Sequence, residues 1–189
     1  RGLKTKDAEK LISTNMKKTE FIHETIYGAI QKSFSEIRIC SFTTCKDNLL
    51  FWSHYADGHE GFCIEFNANL MPIDSAYKVR YSDEYPEVGY PRPDDARGFI
   101  PALIKSKDWE YEEEFRTIFA PGPANQSSND GESLILQGGE IINIYFGVNM
   151  DNSNIEKVVN LVKNGPFTPQ FWKASLSKSA FKLEFKQLS

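Results

Sequence analysis

At 189 residues, with fourteen Phe and eight Tyr, the chain has bulk for a sizeable core and can bury roughly 70% of its unfolded surface without help from a disulfide or metal. A net charge of −4 and a pI near 5.5 exclude a global field drawing in nucleic acid or an anionic membrane. No run of eighteen apolar residues exists to span a bilayer, and nothing at the start reads as a secretory signal.

The chain opens on Arg1 rather than Met, which reads as a fragment, a processed product or a chain missing its start. Apolar residues at three- and four-residue intervals (Leu11, Ile12, Phe21, Ile22, Ile26, Ala29, Ile30) predict an N-terminal helical segment over residues 6–34. From residue 36 the pattern alternates, with Ile37, Ile39 and Ser41 against Arg38, Cys40 and Phe42, as in a strand with side chains on both faces. A short helix capped by Asp47 or Asn48 follows and stops at Asp57-Gly58, where glycine readily takes the left-handed conformation. Strands are expected at 61–66, with Phe62, Ile64 and Phe66 on one face, and around 77–81. Residues 82–94, with Pro86, Pro91 and Pro93, read as a surface loop. A helix over 95–107 leads into a strand over 112–120, and 121–133, rich in Pro, Gly, Asn and Ser, reads as a flexible loop. A strand at 141–146, a helix at 154–164 and strands near 173–176 and 181–185 complete the chain. Without a strict βαβ rhythm, the expected fold is α+β. It is a single domain over 1–189, with a helical segment at 1–35, a core at 36–189, and a mixed, mostly antiparallel sheet flanked by helices.

Cys40, Cys45 and Cys63 form no C-x-x-C pair and read as reduced thiols of a cytoplasmic protein. His54, His59 and Cys63 lie close together but lack the second cluster a zinc site needs, so no metal is expected. Lys173, Lys178, Lys182 and Lys186, with Glu184 the only acid among them, read as a solvated face. No glycine-rich phosphate loop is present, and no motif marks Ser41, Ser53 or a thiol as a nucleophile.

Two constellations could carry chemistry. The first is Phe51-Trp52-Ser53-His54-Tyr55-Ala56-Asp57-Gly58-His59-Glu60-Gly61. Trp52 and Tyr55 can stack a planar ring, and His54 can donate a hydrogen bond. Equally, such a helix can pack its aromatics into the core. The second is Trp109-Glu110-Tyr111-Glu112-Glu113-Glu114-Phe115-Arg116-Thr117-Ile118-Phe119. Period two puts Trp109, Tyr111, Phe115 and Phe119 on one face, interrupted by Glu113. Glu112, Glu114 and Arg116 stand in a row on the other. Neighbouring carboxylates raise one pKa while an arginine lowers the other, so one can act as base or charge stabiliser. The bland alternative is an exposed Glu–Arg pair worth under ~1 kcal/mol. Lys105 and Lys107, just before Trp109, could reach an anionic ligand, and Ile144-Tyr145-Phe146-Gly147 looks like a core strand ending at a glycine.

In order, these blocks resemble the bacterial family catalogued as domain of unknown function 2971. The resemblance rests on Ile39-Cys40-Ser41-Phe42-Thr43, Asp47 to Ala56, Gly58 to Phe66, Val79-Arg80-Tyr81, Lys105 to Arg116 and Ile144-Tyr145-Phe146-Gly147. Family members usually begin with an aromatic-rich strand and an Asn-Asp-Pro segment, which this chain lacks. The layout is also loosely similar to ADP-ribosyltransferase-like proteins. That similarity implies a nucleotide ligand, NAD, framed by Trp52 and Tyr55; Trp109 and Tyr81 are further candidate ligand-binding residues. Glu114 or Glu112 would steady the charge that develops as nicotinamide leaves, Arg116 would orient the carboxylate, and His54 would bond a ribose or phosphate. The expected functions are therefore an NAD-using transferase, a non-enzymatic small-molecule sensor or interaction module in a stress or defence system, or, third, a nuclease using Glu112, Glu114 and a divalent metal. No membrane partner is expected and nucleic acid is not indicated.

Overall fold

The computed structural model describes residues 5–15, 19–35, 37–86, 97–119 and 133–188. Among these residues four α-helices (α1 Thr5–Asn15, α2 Thr19–Ser35, α3 Leu49–Tyr55, α4 Asn152–Lys163) accompany nine strands. These are β1 Arg38–Thr43, β2 Phe62–Phe66, β3 Tyr77–Lys78, β4 Arg80–Ser82, β5 Ile104–Ser106, β6 Glu114–Phe119, β7 Ile141–Phe146, β8 Gln170–Leu176 and β9 Leu183–Gln187. The α+β expectation holds, with mostly antiparallel pairing. The strands are divided among three sheets, ordered β1-β6-β3, β2-β7-β8-β9 and β4-β5. Among the described residues no helix is long and apolar enough to cross a membrane.

The core sits on both faces of β7, which explains why Ile144, Tyr145 and Phe146 are all buried in sequence. On one face Ile144 and Phe146 meet Met150 and Ile155 at the start of α4. On the other Tyr145 meets Trp52, Ala56, Ala174 and Leu183. The parallel pairing of β7 with β8 requires a crossover, and α4 supplies it.

Chain order predicts α3 closely. Asn48 caps it, its side chain accepting from the Leu50 amide at 2.9 Å, and Trp52 is its buried residue. Beyond the helix Asp57, Gly58 and His59 all have positive φ (47, 59 and 71°), so the turn is more unusual than one glycine would make it. The segment after β7 clamps it. The Asn149 amide donates to the His59 carbonyl at 3.0 Å and the Gly147 amide to the Gly61 carbonyl at 2.9 Å. Gly147 must be a glycine, since a Cβ there would lie 2.0 Å from the His59 oxygen.

The expected helical segment over 6–34 comprises α1 and α2, with residues 16–18 outside those described. Two expectations are corrected. The helix over 95–107 is instead a 3-10 segment, Arg97–Leu103, followed directly by β5. Pro101 within it lacks the amide an α-helix would use. The strand over 112–120 begins only at Glu114. Residues Lys107–Glu112 form a 3-10 turn started by Ser106 and ended by Glu113 in the left-handed region, φ 45°. Trp109 and Tyr111 therefore do not share a strand face with Phe115 and Phe119. The expected loops fall largely on 87–96 and 120–132, which lie outside the described residues.

Candidate functional site

Although Glu112 lies on the turn and Glu114 on the strand, both carboxylates enter one buried cluster. The two residues are 3% and 4% exposed. Three sheet pairings deliver the cluster. β6 is the middle strand between β1 and β3, which sets Ser41 opposite Arg116. The parallel pairing of β4 with β5 sets Tyr81 opposite Lys105. The Val79 amide, between β3 and β4, donates to the Glu114 carbonyl at 2.9 Å and holds the two parts together.

Lys105 is the hub. Its Nζ donates to Oε2 of Glu112 and, at 2.9 Å, to Oε2 of Glu114, and it lies 5.1 Å from the centre of the Trp109 ring. Arg116 grips Glu114 with two donors, Nε to Oε1 at 2.7 Å and Nη2 to Oε2 at 3.1 Å. Its Nη1 is spent on the Ala102 carbonyl, so the guanidinium plane is fixed. The Tyr55 hydroxyl donates to Oε1 of Glu112 at 2.7 Å, and the Glu114 amide donates to the Tyr81 hydroxyl at 2.8 Å. Thr43 at the end of β1 donates to the Glu112 carbonyl at 2.6 Å and anchors the turn.

The electrostatics follow from these contacts. Burial by itself would raise the Glu114 pKa, but hydrogen bonds from Arg116, Ser41 and Lys105 outweigh it and hold the carboxyl at about 2. Burial likewise works against the Lys105 ammonium, yet its bonds to Glu112 and Glu114 keep its pKa above the ordinary lysine value. The Tyr55 hydroxyl is pushed up, chiefly by its bond to Glu112. Burial pushes Tyr81 up. The cluster is thus a balanced set of two acids and two bases. Glu114 is suited to fixed negative charge and not to taking up a proton near neutrality.

Above the cluster lies a row of rings. Phe51 contacts Tyr55 and Tyr111 at centroid separations of 5.6 and 6.2 Å, and Tyr111 contacts Trp109 at 6.1 Å. Tyr55 and Trp109 are 62% and 40% exposed.

The structure therefore gathers Glu112, Glu114, Arg116, Tyr55, Tyr81 and Trp109 into one place. Trp52 goes elsewhere: it is buried, its Nε1 donates to the Lys46 carbonyl at 2.7 Å, and it packs against His59 and Phe185. Trp52 is thus spent on the core while Tyr55, three residues on, stays open to solvent, so the bland alternative describes Trp52. His54 is exposed beside Tyr55, with ring centroids 6.4 Å apart, and makes no contact with the buried carboxylates among those described. Lys105 and Ser41 were the members sequence reasoning missed: Lys105 was weighed towards an anionic ligand, whereas its partners are the two glutamates. The pairing of β4 with β5 that explains it leaves no local sequence signal. A cleft of about 290 Å³ lined by Val162, Phe167, Phe171 and their neighbours lies past α4 and contains none of the candidate residues.

The site defines an α+β protein with a buried, charge-balanced carboxylate cluster under an aromatic rim. Residues 51–117, which contain every member of the cluster except Ser41, match the model of a family described as "Protein of unknown function (DUF2971)". Over that stretch, about a third of its length, the chain is similar to this family, in line with the residue blocks. No curated protein and no solved structure matches the chain.

Proposed function

We propose that the Glu112–Glu114 cluster is the working site of a nucleotide-using transferase that takes NAD. One observation carries this reading: two buried carboxylates, bound by Lys105 and Arg116, stand directly beneath exposed rings able to stack a base or nicotinamide. Loss of nicotinamide leaves positive charge on the ribose. A carboxylate held at about 2, as Glu114 is, stays negative throughout and stabilises that charge without a proton transfer. Glu112, bonded to the exposed Tyr55, is the carboxylate linked to the rim, and Arg116 and Lys105 orient the pair. His54 would meet the ligand from the solvent side. The free thiols suit a reducing bacterial cytoplasm.

A second reading, a sensor that binds the same ligand without consuming it, is favoured by a specific feature. All four carboxylate oxygens of Glu112 and Glu114 already have partners within the chain. Such a module would suit a stress or defence system. The nuclease reading has less support, because the Lys105 ammonium stands between the two carboxylates and a divalent metal would have to displace it.

Thermal-shift titration with NAD⁺, and ATP as control, is the first test. A ligand that binds only the folded state adds about 2.7 kcal/mol at a hundredfold excess over its Kd. A shift with NAD⁺, with nicotinamide released by the wild type and not by Glu112→Gln or Glu114→Gln, supports the transferase. A shift without release supports the sensor. The absence of any shift with NAD⁺ overturns both as NAD proteins.

A further inference from the structure

We infer that the aromatic face formed by Phe51, Tyr55, Tyr111 and Trp109 receives the planar, positively charged end of its ligand. The inference rests on the reading of this face as a ligand site and deepens it. The four rings touch in series, so they offer π-faces and edges over a continuous surface where Tyr55 and Trp109 are open to solvent. Ring faces carry negative potential and attract cations, and planar cations also stack on them.

The chain itself already sets one cation against this row of rings. Lys105 places its ammonium 5.1 Å from the Trp109 ring centre while bonding two carboxylates, so one cation uses both modes of recognition at once. Charge around the rim points the same way. Asp108, Glu110 and Glu113 are exposed on the turn that carries Trp109 and Tyr111. The exposed base of that turn, Lys107, is paired with Asp83. An anionic group brought to the rings meets this acidic border, whereas a pyridinium or guanidinium is attracted by border and rings together. The ligand thus leads with its cationic plane and leaves any phosphates towards solvent.

Two sources share this chemistry, the pyridinium of an oxidised nicotinamide and the guanidinium of an arginine side chain. Calorimetric titration of the whole chain with two charged and neutral pairs separates them: 1-methylnicotinamide against nicotinamide, and methylguanidinium against methylurea. In at least one pair the cation should bind roughly fivefold to thirtyfold tighter than its neutral partner. Which pair shows it identifies the source. Trp109→Ala should abolish the preference. Asp108→Asn with Glu110→Gln, both exposed and outside the buried cluster, should reduce it while leaving the fold intact. Equal binding within both pairs, no binding of either cation, or a preference that survives these variants would overturn the inference. NAD⁺ binding without a cation preference sinks this inference and leaves the transferase standing. A cation preference without NAD⁺ binding does the reverse.

Discussion

Replacing Glu114 with glutamine tests whether its carboxylate is held ionised by Lys105, Arg116 and Ser41. In the unfolded chain a glutamate takes up its proton near pH 4.3, whereas in the fold Glu114 does so only near 2. Between those values the unfolded state binds more protons, so the contribution of Glu114 is fully present at neutral pH and is lost as pH falls through the folded value. A tenfold change in proton affinity is worth about 1.4 kcal/mol. Holding the carboxyl at about 2 in place of about 4.3 therefore contributes up to about 3 kcal/mol, a large share of the 5–15 kcal/mol typical of a domain. Glu114→Gln should lower stability at pH 7 by about that amount, consistent with the roughly 3–5 kcal/mol lost when a buried ion pair loses one partner. The assay is urea unfolding, followed by tryptophan fluorescence, at steps from pH 7 to pH 2. The wild-type and Glu114→Gln stability curves should converge as the pH approaches 2. Curves that run parallel over the whole range would refute the reasoning, since every other carboxyl is common to both proteins.

Two further outcomes follow from the packing. Gly147→Ala should cost several kcal/mol in denaturant unfolding, because its Cβ would press on the His59 carbonyl at 2.0 Å. Gly28→Ala, in α2 with nothing within 4 Å of the added carbon, should be neutral or stabilise by up to about 1 kcal/mol. Thiol labelling at neutral pH, read by mass spectrometry, should modify the exposed Cys40 first. It should reach Cys63 only on unfolding, since burial and then the Glu65 charge push that thiol to about 11.

The parts of this protein legible in its sequence are those whose causes are local. Asn48 caps α3 through an amide two residues away, and β7 announces itself by an apolar run, interrupted by Asn143, that ends at a glycine. The pattern of acids and Arg116 on a period of two is also local, and it correctly marked Glu114 and Arg116 as same-side partners. Where local cues compete, sequence reasoning erred. The stretch from Lys107 to Glu112 alternates like a strand, but Ser106 and a left-handed Glu113 close it into a turn, so Trp109 and Tyr111 became a rim and left the strand face. Only the tertiary structure decided that Tyr55 meets Glu112 across 57 positions of chain. The same holds for Lys105 facing inward between two glutamates and for Trp52 serving the core while Tyr55 serves the site. The physical reason is that strand pairing and ion-pair geometry are settled between groups far apart in sequence. There the gain depends on which surfaces are brought together and dried, and no residue carries that information in its own neighbourhood.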